Sequence, residues 1–432
     1  MYEMDTRLLE REQQGLPILA AIIGAGQMGA EIVAQISLMK GMRPAIVVDI
    51  KQETVENAFR DAGLFDNAVF TNDINAANRA ITEGKLVGTT NWHLATRADD
   101  IEVVVDCTGF PELGARITMD CISNRKHIVM MNVECDVTIG PLLRRLCNRA
   151  GVVYSLTAGD EPGSIVELYR FARSIGYDVV AAGKGKNNPL NIKATPSDPE
   201  WAEKAKARKM EARMLIEFVD GSKTMIEMAA VSNATGLVPD VRGMHCAKCN
   251  IKDLAKVFSL REQGGILSKK GCVDFAIGDV APGVFVIVTT QNAKIRASMI
   301  QRDMGEGPNY LLYRPYHLCS GETPITIAQA AIYNESTAHP MDYLTSECIT
   351  IAKRNLKKGD MLDRIGEHCY RGSIELHSIA MANNFLPLGL AYGAKLKCDV
   401  QEETVLTYDM VEFDEKNSML LQLRRIQDIM IG

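Results

Sequence analysis

No apolar run in the 432-residue sequence is long enough to cross a bilayer as a helix. The N-terminal stretch up to Gly15 is charged and lacks the apolar core of a signal peptide. Basic residues are not in excess: 48 Lys and Arg stand against 54 Asp and Glu, for a formal net charge of −6. The electrostatic footprint of a nucleic-acid binder is therefore missing, and a small anionic substrate must be held by a local cluster of cations. Eleven cysteines are present without framework spacing. With no export signal, they read as reduced thiols. There is no low-complexity segment and no internal repeat. These absences imply a cytoplasmic protein without nucleic-acid or membrane partners.

What is there is ordinary globular composition, 47% hydrophobic and 24% charged. The chain is too long for one core, so two or three domains are expected. Apolar runs at 18–23, 45–49, 101–105, 128–131 and 152–156 alternate with helical stretches at 30–39, 113–123 and 141–150. That alternation implies a parallel sheet covered on both faces. The middle of the chain changes character. Helices are expected at 164–175, 199–218 and 324–333, with strands at 178–182, 284–289 and 310–313, which suggests an α+β domain. From about 347 the chain is turn-rich and short-stranded, closing with a helix at 418–430.

Gly24, Ala25, Gly26, Gln27, Met28 and Gly29 follow the first apolar run and open a helix. In a dinucleotide-binding loop the first glycine permits the tight turn. The second lets the backbone approach the pyrophosphate, and the third allows helix to pack on strand. The helix N-terminus then offers amide donors to the phosphates. Asp49 ends the second run, twenty positions after Gly29, where a carboxylate accepts from the adenosine ribose hydroxyls of NAD and repels the extra phosphate of NADP. Lys51 offsets that repulsion only in part. Cys107, Thr108 and Gly109 end the 101–105 run and are expected to border the cofactor, as is Asn132. For Cys107, a small residue packed beside the cofactor is preferred to a nucleophile, since no histidine is near it in sequence.

Several polar strings follow. Asn132 to Asp136 and Asp160 to Pro162 end neighbouring strands. Their four carboxylates, Glu134, Asp136, Asp160 and Glu161, suit polarisation of a substrate hydroxyl or a Mg²⁺ or Mn²⁺ ion. Helix capping explains them equally well. The string GKGKNNPLN at 183–191 places Lys184 and Lys186 on one face of an extended chain, with Asn187, Asn188 and Asn191 beyond them. Such a cluster holds a phosphate or carboxylate, or protonates an oxyanion, and is preferred to a solvated surface loop. Asn233 and Thr235, and Arg314 and His317, are further substrate-site candidates, or else satisfied structural groups. Cys246 and Cys249 form one CxxC without a matching pair, a poor zinc signal, so these thiols are read as adventitious.

Taken together, the stretches at 20–29, 106–109, 129–140 (VMMNVECDVTIG), 158–162 (AGDEP), 182–191 (AGKGKNNPLN), 221–239 and 313–318 (YRPYHL) resemble the homoserine-dehydrogenase-like proteins with a C-terminal SAF domain. Among these the resemblance is to the DXR-like, type II 1-deoxy-D-xylulose 5-phosphate reductoisomerases. It implies a homodimer, a divalent cation and NADPH, acting on a sugar phosphate that is rearranged and reduced to 2-C-methyl-D-erythritol 4-phosphate for isoprenoid synthesis. It also implies three domains: a Rossmann dinucleotide-binding domain at 1–157, a catalytic and dimerisation domain at 158–346, and an SAF-like β-clip domain at 347–432. Gly24, Gly26 and Gly29 match the pyrophosphate loop. Lys184, Lys186 and Asn187 match one substrate motif, and Arg314 with His317 a second. Where homoserine dehydrogenases carry a lysine after the strand-ending asparagine, this chain has Val133 and Glu134, which speaks against homoserine chemistry. Asp49 favours NAD, so a dehydrogenase or oxidoisomerase of another polyol or sugar acid stands as the alternative. A non-enzymatic dinucleotide sensor is a third reading.

Overall fold

Six consecutive apolar residues, Ile18–Ile23, form strand β1 with almost no exposed surface. That is the environment a continuous apolar run needs, since both of its faces must be covered. In the computed structural model, which describes residues 3–208 and 210–431, β1 is the centre of a seven-stranded sheet. The other strands are β2 (Met42–Val48), β3 (Ala68–Phe70), β4 (Leu86–Thr89), β5 (Val103–Asp106), β6 (His127–Met130) and β7 (Tyr154–Leu156). Their order is β3-β4-β2-β1-β5-β6-β7, and every pairing is parallel. This is a Rossmann-like, doubly wound α/β sheet, and its order reverses beside β1.

Two compact units are formed. The first runs to residue 163 and recruits 318–342 and 423–431; the second holds 164–317 and 343–422. In the first unit, Ile22, Ile32, Val33, Ile36, Val47, Phe59, Val105 and Val129 share one core with Ile327 and Ala328 of the returning segment. The second unit has a mixed sheet of β8 (Asp178–Lys186), β9 (Val238–Pro239), β10 (Ala247–Lys248), β11 (Cys272–Ile277), β12 (Val284–Thr289) and β13 (Asn309–Arg314). Its order is β10-β11-β8-β12-β13, with β9 beside β11, so β8 is central. The second unit also carries β14 (Ser346–Ala352) antiparallel to β15 (Tyr370–Leu376), and the short pair β16 (Lys395–Leu396) with β17 (Val411–Glu412). Among the described residues, no helix is long and apolar enough to cross a membrane.

Three expected elements differ. The helix expected at 141–150 begins eight residues earlier, spanning Val133–Ala150, with Pro141 inside it. The strand expected at 178–182 continues to Lys186. The single helix expected at 199–218 is two, Pro199–Ala207 and Ala212–Val219; Lys209, between them, lies outside the described residues, as do Met1, Tyr2 and Gly432. Trp201 and Ala205 of one helix bury against Leu215, Ile216 and Val219 of the other. Burying one apolar stripe on the other outweighs the uniform helix-forming composition.

Candidate active site

Parallel strands put their carboxyl ends on one edge, so the loops after β1, β2, β5 and β6 are neighbours. Gly24 turns with φ +96°, and its amide donates to the Val48 carbonyl at 2.8 Å. A side chain there would meet the Cys107 carbonyl at 3.0 Å. A Cβ on Gly29 would lie 1.8 Å from the Gly24 carbonyl oxygen, so only glycine lets the helix sit this close to the loop. Gly26 caps the Gln27–Ser37 helix and is exposed, with no atom within 4 Å of where its Cβ would stand. An open backbone at a helix N-terminus is what a pyrophosphate needs, so these residues fit a dinucleotide. Gln27 is exposed beside it, and Met28 is half-buried, its sulfur 3.3 Å from the Ser320 hydroxyl.

Asp49 follows β2 beside this loop. One carboxylate oxygen accepts from the Ala25 amide at 3.0 Å and the other from the Lys51 amide at 3.2 Å. Asp106 is fully buried at the end of β5. It accepts from the Thr108 amide (2.9 Å), the Thr108 hydroxyl (2.6 Å) and the Asn132 side-chain amide (3.0 Å). Asn132 also donates to the Phe110 carbonyl at 2.9 Å and caps the Val133–Ala150 helix through the Cys135 amide. Thr108 and Asn132 thus shape the turn through Gly109. Burial pushes the Cys107 thiol far above its ordinary value, which makes it an inert neighbour rather than a nucleophile.

The four carboxylates expected to share a metal are not gathered. Among the described residues, neither Glu134 nor Asp136 enters any group of three ligating side chains with atoms within 4.8 Å of one another. The cause is the early helix start. At about 100° per residue, positions 134 and 136 project to opposite sides. Asp136 instead accepts from the Tyr154 hydroxyl at 2.8 Å in the interior, and burial pushes its carboxyl up to about 7. Asp160 and Glu161 remain a pair after β7, where Asp160 takes a long 3.9 Å contact from the Cys319 thiol. A four-carboxylate Mg²⁺ or Mn²⁺ centre therefore does not fit these residues.

The second unit holds the denser cluster. Lys184 and Lys186 lie on one face of β8 and are only 5% and 4% exposed, which rules out a solvated loop. The alternating glycines explain the pattern. A Cβ on Gly183 would stand 2.0 Å from the Asp274 carbonyl, and one on Gly185 2.2 Å from the Ala281 amide. The glycine face is thus closed by backbone, while the lysine face meets the Ser222–Thr235 helix. From that helix Glu227, 1% exposed, forms an ion pair with Lys184. Lys186 donates to the Phe218 carbonyl. Burial, then the Lys184 charge, lowers Lys186 to about 8. Arg314 stands in register with Val284, and Val284 with Lys184, so Arg314 shares the lysine face two strands away. It pairs with Glu167 at 3.2 Å and Ser164 at 3.3 Å, and its guanidinium lies 4.8 Å over the Tyr316 ring. His317 is half-buried just beyond β13.

Other expected substrate residues have structural work. The Asn233 carbonyl oxygen accepts from the Thr345 and Ser346 amides at 2.8 and 3.0 Å, which anchors the start of β14. The Thr235 hydroxyl donates to the Val231 carbonyl at 2.7 Å. Asn187 is exposed past the end of β8, and Asn188 accepts from Arg208 at 3.5 Å. Cys246 and Cys249 are half-buried, and burial pushes both thiols up. Sequence reasoning missed Glu227. Its signal is the lone carboxylate of the helix, set among apolar neighbours (MIEMAAV), where it cannot be buried without a cation.

Residues 159–323, less than half of the chain, match the family model of the catalytic domain of oxidoreductase DRL. The match includes β8, Glu227, Arg314 and His317. No curated protein matches the sequence. Among solved structures, the chain is similar to scyllo-inositol dehydrogenase from Lactobacillus casei with bound NAD(H) and scyllo-inositol. The identity there is 11% over 69% of this chain and 76% of that one, with a TM-score of 0.37. It is similar to a DOX-P reductoisomerase in complex with magnesium at 11% identity, over 74% and 70% of the two chains, with a TM-score of 0.37. It is also similar to dipicolinate-bound dihydrodipicolinate reductase from Paenisporosarcina sp. TG-14 at 14% identity, over 74% and 97%, with a TM-score of 0.36. The family match and the dinucleotide loop support an oxidoreductase.

Proposed function

We propose that the protein is a nicotinamide-dinucleotide-dependent oxidoreductase acting on a small anionic carbonyl or hydroxyl compound, in the manner of the type II 1-deoxy-D-xylulose 5-phosphate reductoisomerases. The observation that carries this is the buried Lys184–Glu227–Lys186 cluster, inside the stretch that matches an oxidoreductase catalytic domain. A nicotinamide, when bound, supplies or accepts a hydride. The chain's part is to hold the substrate and to move a proton. Lys184, held in place by its ion pair with Glu227, offers a fixed ammonium to an anionic oxygen. Lys186 titrates near 8, so at neutral pH it carries a proton that it can give up. In reduction, its ammonium donates that proton to the oxygen of the carbonyl whose carbon gains the hydride, leaving a neutral amine. In oxidation, the neutral amine takes the hydroxyl proton. Arg314, on the same sheet face, suits a phosphate or carboxylate.

A second reading is an NAD-dependent dehydrogenase or oxidoisomerase of another polyol or sugar acid. Asp49 favours it, because a carboxylate beside the ribose disfavours the NADP phosphate. Nicotinamide turnover with 1-deoxy-D-xylulose 5-phosphate and with a panel of polyol acids, NADH and NADPH compared, separates the two. Reduction of the sugar phosphate supports the first reading, and oxidation of a polyol acid with NAD the second. Dinucleotide binding without turnover of any substrate would overturn both.

A further inference from the structure

We propose that Lys353, supplied by the segment that follows β14, is a positioning residue for Lys186: through Asp220 it fixes the end of the Ala212–Val219 helix, whose Phe218 carbonyl holds the Lys186 ammonium. This rests on the catalytic reading of Lys186. The Lys353 and Asp220 side chains are 1% and 0% exposed, and their charged atoms lie 2.6 Å apart. The Lys353 ammonium also donates to the carbonyls of Ala194 and Glu367, each at 3.0 Å. The second oxygen of Asp220 accepts from the Ser222 amide at 2.8 Å. The same carboxylate therefore fixes the first turn of the helix that delivers Glu227 to Lys184. Two residues before Asp220 stands Phe218, the acceptor of Lys186. One buried ion pair thus ties both lysine contacts to a residue far along the chain.

The groups facing Lys186 are Lys184 on its own strand, Glu227 on its helix, Asp220 at the end of the Ala212–Val219 helix and Cys246 on the segment before β10. Lys184 opposes its charge, and the other three favour it. Burial pushes the Asp220 carboxyl up, and Lys353 is what opposes this most. Without Lys353 the buried carboxylate takes a proton, and one of the charges that keep Lys186 protonated is gone. Lys186 then releases its proton at lower pH.

The test compares wild type, Lys353→Met and the double variant Asp220→Asn/Lys353→Met. The double variant removes the pair together and leaves no orphan charge if the single variant fails to fold. The readout is the NMR titration of the Lys186 Cε resonance, assigned by its loss in Lys186→Ala, alongside kcat/KM against pH. The wild-type resonance is expected to titrate near 8. In both variants the midpoint falls by about half a unit or more, and kcat/KM drops about tenfold or more as the ammonium loses its fixed place. A midpoint equal to wild type in the variants overturns the proposal, even where thermal stability has dropped. A midpoint that moves while the pH–rate limb stays fixed supports the tie from Lys353 to Lys186 and overturns the catalytic reading.

Discussion

Lys186 is a residue whose proton is held loosely enough to be used. In the reducing direction the ammonium is the active form, so kcat/KM falls as pH rises through about 8; in the oxidising direction it rises over the same window. A rate flat from pH 6 to 10 in both directions would remove Lys186 from the chemistry. Lys184 has a different weakness: replacing it alone removes the cation paired with the buried Glu227. Lys184→Ala should cost about 3–5 kcal/mol of stability as well as activity, whereas Lys184→Met with Glu227→Gln should recover the stability but not the activity. Thermal melts and kinetics on the two proteins check this. At Asp49, the Ala variant should bind NADP(H) better relative to NAD(H), as dinucleotide titrations would show. A wild-type preference for NADPH above about tenfold would mean that another residue governs the pocket. Asp136 makes the protein's stability depend on pH. Its unfolded carboxyl titrates at 3.8 and its folded one at about 7. Between those values the folded protein keeps a proton that the unfolded chain releases, so stability falls as pH rises through that window. Asp136→Asn should flatten this slope and raise Tm above pH 7; an unchanged slope by calorimetry would contradict it.

At the scale of elements, the Val133–Ala150 helix shows why a sequence is read only in part. Pro141 has no amide to offer and reads as a helix start, yet it sits inside. The next break is mended from the C-terminal Met419–Ile431 helix. The Leu142 amide donates to the side-chain carbonyl of Gln427 at 3.1 Å, and the Gln427 amide donates to the Thr138 carbonyl at 3.1 Å. One glutamine thus stands in for a missing rung of the ladder, with Arg424 also donating to Thr138 at 3.3 Å. Gln427→Leu leaves both groups buried and poorly paired and should cost roughly 1–3 kcal/mol in denaturant unfolding. A cost near zero would show that the helix mends itself. No local pattern announces a partner almost three hundred residues away, and so the metal quartet predicted from strand ends fell apart. By contrast β1 and β12 were legible to the residue, because apolar runs of that length leave little choice of register or cover. The Gly–Lys alternation was legible as one-faced but not as buried. The backbone that closes its glycine face, at Asp274 and Ala281, comes from elsewhere in the chain.

For the whole molecule, the glycine-rich loop and the lysine cluster belong to separate units. The glycine loop, Asp49 and the loop after β5 come from one contiguous stretch, so local spacing sufficed to place them side by side. Glu227, Asp220 and Lys353 did not, because each acts only through residues brought to it by the second sheet and its helices. In the proposed function, Lys186 serves the reaction and does not hold the cofactor. The direct measurement is kcat/KM of Lys186→Ala with the substrate found by the turnover screen, beside dinucleotide affinity measured on the same protein. The prediction is a loss on the order of a hundredfold in kcat/KM, about 3 kcal/mol of transition-state stabilisation, with dinucleotide Kd within about threefold of wild type. Turnover close to wild type, or a collapse of dinucleotide binding, would contradict it.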